Sequence, residues 1–165
     1  MDDIDAFWER AQQHANLAGV TSYMGVNPLA VLRPPAWSFG ATTEHADELL
    51  DLVLAGTKTA TSSALWDYEA EEEDLPEEGT LGIVVDGAGA PRALLVTTRV
   101  RVVPFDQVDA AHAAAEGEGD GSLEYWREVH ERFFTEHASH EKGFASDMPV
   151  VLEDFEVLHA EPAQD

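Results

Sequence analysis

Lys58 is one of only two lysines in a chain of 165 residues, and it stands in the segment Gly56-Thr57-Lys58-Thr59-Ala60-Thr61, followed at once by Ser62 and Ser63. A lysine held beside a row of hydroxyls has two chemical uses. It can ease deprotonation of a hydroxyl that attacks a carbonyl, or it can stabilise an anion. Alternation along an extended segment sets Thr59 and Thr61 on one face and Lys58 and Ala60 on the other, so Lys58 and Thr61 meet only where the chain turns between them. The alternative is an ordinary surface lysine ahead of a Thr-rich strand.

Cations are scarce enough to weigh singly. Beside Lys58 and Lys142 the chain has Arg10, Arg33, Arg92, Arg99, Arg101, Arg127 and Arg132, against 33 acids, for a formal net charge of −24. Such a chain is not a general polyphosphate binder, because non-specific nucleic-acid affinity comes from cations that neutralise phosphates. Duplex DNA is not an expected partner, and any nucleic-acid contact must be local. The acids serve solubility; adaptation to high salt, which screens surface charge, is the other reading.

Other motifs are incomplete. Glu116-Gly117-Glu118-Gly119-Asp120-Gly121 looks like the first half of a calcium loop, but Arg127 stands where position twelve needs a bidentate glutamate. Its alternating glycines suit tight turns that could aim Glu116 into a pocket, with a solvated acidic loop as the plain alternative. His130-Glu131-Arg132-Phe133-Phe134 lacks the second histidine of a zincin helix. His137 and His140 have no third ligand at convincing spacing. Gly87 to Arg92 lies inside a hairpin and is not a dinucleotide fingerprint. No metal or cofactor is expected. No cysteine is present, which excludes disulfides and thiolate zinc sites.

The elements that must position these residues follow from periodicity. Ile4, Phe7, Trp8, Ala11 and Ala15 trace a helix that Gly19 would stop. Residues 20–36 read as an irregular connection and Trp37 to Gly40 as a short strand. Thr43 is expected to cap a second helix faced by Leu49, Leu50, Val53 and Leu54, with Gly56 ending it in the left-handed conformation. Strands are expected over Thr59–Leu65, Thr80–Asp86, Arg92–Val103 and Pro149–His159, the middle two pairing as a hairpin. Trp66 to Asp74 reads as a short acidic helix or loop. Helices are expected near Asp109–Glu116 and over Leu123–His137, where the aromatic residues suit core packing. The composition, 44% hydrophobic with no apolar run near 18 residues and no basic-then-apolar leader, fits a cytoplasmic domain that does not enter a membrane. The organisation expected is an N-terminal helix and lead-in over 1–36, a domain over 37–159 and a frayed tail over 160–165. The fold class is α+β, a small mixed or antiparallel β-barrel with flanking helices.

Taken together, Gly56 to Thr61 after a helix, the paired strands at 80–103, and Glu116-Gly-Glu118-Gly-Asp120-Gly121-Ser122-Leu123-Glu124-Tyr125-Trp126-Arg127-Glu128-Val129-His130 with Phe133-Phe134 resemble the ASCH (activating signal cointegrator homology) family. The resemblance spans most of residues 37–158. It implies a PUA-like barrel with a cleft for a nucleoside or short RNA. Some small members look like amidohydrolases that remove the acetyl group of acetylcytidine with a lysine, a threonine three residues later and a distant glutamate. Lys58, Thr61 and Glu116 match that set, and Glu116 follows His112 by four residues as the motif requires. Members resembling the longer form are ribonucleases that also use the lysine. The N-terminal extension and the glycine-rich turn with its aromatic helix depart from the small amidohydrolases. On this reading Thr61 attacks, Lys58 assists and Glu116 shuttles the proton. Thr59, Ser62 and Tyr125 would contact substrate, and Trp66 or Tyr68 would stack on the base. The alternatives are phosphodiester cleavage and a non-catalytic binding module in which Lys58, Arg99, Arg101 and Arg127 hold phosphate or a base edge.

Overall fold

A computed structural model describes residues 2–14, 33–40, 42–138 and 141–163. Helix α1 (Asp3–His14) buries Phe7, Trp8 and Ala11 against Leu81 and Ile83 and against Leu94 and Val96 of the sheet. Full burial of a large apolar side chain is worth about 2 kcal/mol, so this stripe anchors the helix. The expected stop at Gly19, the connection over 20–32, His140 and the last two residues lie outside the described residues.

The sheet strands are β1 (Ala36–Trp37), β2 (Ala60–Ala64), β3 (Leu81–Val85), β4 (Pro91–Pro104) and β5 (Pro149–Ala160). Their order is β1-β3-β4-β5-β2. The β1–β3 pair is parallel and the others antiparallel, so the sheet is mixed. Strands β1 and β2 end the sheet, and no ladder joins them among the described residues. The hairpin of β3 and β4 is as expected. The fold is α+β.

Helix α2 (Thr43–Leu54) covers one sheet face through Leu49, Leu50 and Val53, which meet Val84, Leu95 and Phe155. Its cap is Thr42, one residue before the expected Thr43: Thr42 is extended, and its side chain accepts from the His45 N–H at 3.1 Å. Gly56 then turns the chain with φ of 79°. Helix α3 (Leu65–Glu71) follows β2 directly and ends at left-handed Glu72, ahead of Pro76. A single 3-10 turn (Phe105–Gln107) leads to α4 (Ala110–Glu116), capped by Asp109. Helix α5 (Leu123–Glu136) is capped by Ser122, whose hydroxyl accepts from Tyr125 N–H. Trp126 and Phe134 of α5 pack on Ala64, Val150 and Leu152. No described helix is long and apolar enough to cross a membrane.

The candidate active site

The site forms where the end of α4 meets the start of β2. The Thr59 N–H and hydroxyl both donate to the Ala115 carbonyl, at 2.8 and 3.3 Å. Gly117 turns the chain out of α4 with φ of 67°, and a Cβ there would lie 2.3 Å from the Thr57 carbonyl oxygen. Only glycine allows this approach of two backbones. It lays Lys58 beside Glu116, 58 residues away in sequence.

Lys58 is 2% exposed, so it is not a surface lysine. Its ammonium donates to the Ala60 carbonyl at 2.8 Å, to Glu118 Oε2 at 3.0 Å and to Glu116 Oε1 at 3.3 Å. Three N–H groups thus have three acceptors. The Phe39 ring lies 5.6 Å from the same nitrogen.

Glu116, 1% exposed, is the hub. Its Oε2 accepts from Ser62 Oγ, from the Trp126 indole N–H, and from His112 Nε2 at 2.7 Å. Ser62 Oγ also lies 2.9 Å from His112 Nε2. His112 Nδ1 is buried and has no hydrogen-bond partner among the described residues. On the other oxygen, His130 Nε2 stands 3.4 Å from Oε1. The His130 ring stacks on Trp126 with centroids 4.3 Å apart, and its Nδ1–H donates to the Trp126 carbonyl at 2.8 Å.

Burial by itself would raise the Glu116 pKa. Hydrogen bonds from His112 and His130, with the charges of His130 and Lys58, outweigh it and hold the carboxyl well below the usual carboxylate range. Burial likewise works against a charged His130, but its bond to Glu116 and the charges of Glu116 and Glu118 raise its pKa above 6.5. The site therefore sets the Lys58 ammonium and the His130 imidazole against two carboxylates. Glu116, Glu118 and His130 bring one ligand atom each within 4.8 Å of one another, a spacing that could hold a metal ion. The Lys58 ammonium already sits on two of the three groups.

Thr61 is not part of this cluster. Strand β2 is regular and pairs with β5 through Thr61↔Glu153 and Ser62↔Leu152. Alternation turns Ser62 toward Glu116 and Thr61 to the opposite face, because the chain does not turn between residues 60 and 64. Thr61 makes no side-chain hydrogen bond among the described residues. The hydroxyl that reaches the glutamate is Ser62.

The other expected contacts divide. Arg101 pairs with Leu152, which pairs with Ser62, so Arg101 and Ser62 share a sheet face two strand spacings apart, about 10 Å. Arg101 Nε is buried with no hydrogen-bond partner among the described residues. Arg99, on the same face, is bound to Asp154 at 2.6 Å. Arg127 donates to the carbonyls of Asp106 and Val108, fastening the 3-10 turn to α5. Trp66 lies half-buried against the apolar core with Lys142 over its ring. Tyr68 bonds Ser63 at 3.0 Å on the Thr61 face, beside a cleft of about 230 Å³ lined by Ser63, Asp67, Tyr68, Glu71 and Glu73. Tyr125 is partly exposed, and its ring packs on Gly119. Sequence reasoning gave no role to Glu118, left Trp126 to core packing and weighed His130 only in an incomplete zincin helix. Their four-residue spacing on α5, matching His112 and Glu116 on α4, is the signal that places two more donors on one carboxylate.

The sequence profile of the ASCH domain matches residues 35–159. A structure from Enterococcus faecalis V583, of family DUF984, is 36% identical over 94% of this chain and 87% of its own, with a TM-score of 0.76. An ASCH domain from Lactobacillus crispatus JV V101 is 32% identical over 91% of this chain and 94% of its own, with a TM-score of 0.72. No curated protein matches the chain.

Proposed function

The chain belongs to the ASCH domain family, whose members are generally linked to RNA, and on that premise we propose that it hydrolyses the amide of an acylated nucleoside such as acetylcytidine. The observation that carries the reading is the buried contact between Lys58 and Glu116, with the Ser62 hydroxyl on the same carboxylate. A cation, a carboxylate and a hydroxyl in one bonded group are the parts that acyl transfer needs.

In the proposed sequence Ser62 Oγ attacks the acyl carbon and its proton passes to Glu116. The carbonyl oxygen gains charge and turns to the Lys58 ammonium. Lys58 is one of the groups that keep Glu116 acidic. A Lys58 N–H donates a hydrogen bond to the new oxyanion and its proton stays on the nitrogen, so the proton moved in this step is the one from Ser62 to Glu116. The C–N bond breaks, Glu116 returns the proton to the leaving amine, and water releases the acid from the acyl-serine. The net charge of −24 favours a small uncharged substrate over a long RNA. One observation favours a second reading, binding or cleavage of a short RNA: Arg99 and Arg101 lie on the Ser62 face of the sheet.

The test is turnover of acetylcytidine by the wild-type protein, Ser62→Ala and Thr61→Val, with a short RNA as competing substrate. Loss of roughly a hundredfold or more in kcat for Ser62→Ala, with Thr61→Val within a few-fold, is expected. No deacetylation by the wild type would overturn the reading, and RNA cleavage in its place would select the second. An inactive Thr61→Val beside an active Ser62→Ala would return the attacking role to Thr61.

A further inference from the structure

The oxyanion needs a hydrogen bond from Lys58, yet all three N–H groups of that ammonium are taken. One partner must leave, and the three are held very differently. The Ala60 carbonyl belongs to a paired strand. Glu116 projects from a helix and is gripped by Ser62, His112 and Trp126 besides Lys58. The Glu118 carboxylate has no other hydrogen-bond partner among the described residues. It stands on a loop between Gly117 and Gly121 rather than on a regular element, and its side chain is 13% exposed where that of Glu116 is 1%.

We propose that Glu118 is a displaceable counter-ion and specificity residue: its seat on Lys58 is the ligand-oxygen subsite, and a ligand binds by replacing its carboxylate. The inference deepens the proposed function and rests on Lys58 being its working cation. Glu118 sits only 3.0 Å from Lys58, nearer than Glu116, so the choice rests on how each group is anchored and not on distance. Once displaced, Glu118 stays on its short loop beside the subsite, so a phosphate oxygen on Lys58 would be a third anion near one ammonium, with Glu116 and Glu118 as the other two. A neutral carbonyl oxygen meets no such repulsion and becomes charged only in the transition state. Glu118 thus selects an acyl carbonyl over a phosphodiester at a site whose lysine suits either.

The experiment is a calorimetric titration of inorganic phosphate into the wild-type protein, Glu118→Gln and Glu118→Ala, followed by structure determination of Glu118→Gln with phosphate. Both variants should bind phosphate roughly tenfold tighter or more, the scale expected for removing one unit charge from a partly buried site. The ion should lie on Lys58 Nζ. Unchanged phosphate affinity in both variants would overturn the proposal, as would a phosphate seated away from Lys58. Acetylcytidine turnover by the wild type is a separate readout: its failure removes the proposed reaction, while the phosphate titration still decides whether Glu118 guards the lysine.

Discussion

Strand β2 carries two polar clusters on opposite faces, and each contains a glutamate with a contrary charge preference. On the Ser62 face Glu116 is fully buried, yet its carboxyl is held well below the ordinary range, because two imidazoles and an ammonium outweigh burial. On the Thr61 face Glu153 is only half-buried, and its pKa is raised: burial dominates, opposed by a single bond from Thr97 Oγ1 at 2.8 Å. Depth alone would order the two the other way. The number and charge of the partners decide which carboxylate is a fixed anion and which tends toward the acid. The neighbouring hydroxyls inherit the difference, since Ser62 meets a carboxylate with cations behind it, while Ser63 meets only the Tyr68 phenol.

The contrast breaks most sharply at Lys58. Lys58→Met leaves Glu116 and Glu118 facing each other without their shared cation, and the loss should be about 3–5 kcal/mol in urea unfolding at pH 7. A loss below about 1 kcal/mol would mean that the buried ion pair is no stronger than a surface one.

His130 gives the next largest effect, and it depends on pH. Its folded pKa is raised above 6.5, so its contribution is fully present below 6.5 and is lost as pH rises through the folded value. Unfolding free energy of the wild type should therefore fall across that window by on the order of 1 kcal/mol, while His130→Gln should show a flatter profile there. Glu116 has the opposite sign. Its contribution is present above 4.5 and is lost as pH falls through its depressed folded value, which adds to acid denaturation.

The smallest change sharpens the other face. Because the folded pKa of Glu153 is raised, the folded state binds more protons than the unfolded one above 4.5, and ionisation there weakens the fold as pH rises. Glu153→Gln keeps an acceptor for Thr97 and removes that charge. Denaturation at pH 7 should show a gain of at most about 1 kcal/mol, shrinking toward pH 4. A loss at pH 7 would show that Glu153 is held as a carboxylate like Glu116.

Much of this was legible in the chain. The scarcity of lysine and the position of Lys58 after a helix-stopping glycine singled it out, and the spacing of His112 and Glu116 made them neighbours on one helix turn. The paired strands and the long aromatic helix followed from periodicity. Less legible were the partners. Arg127 looked like a phosphate contact and instead donates to two carbonyls of a turn, and Arg99 is engaged by Asp154. A side chain's nearest acceptor in space leaves no mark in its local sequence.

The chain by itself determined which residue types are present for chemistry and which local elements carry them, because helix and strand periods are properties of neighbouring residues. Only the tertiary structure decided that Ser62, and not Thr61, meets Glu116. That depends on the register of β2 against β5 and on the close approach of Thr57 to Gly117, both set by contacts between distant segments. A one-residue change in register would exchange the two hydroxyls between the faces.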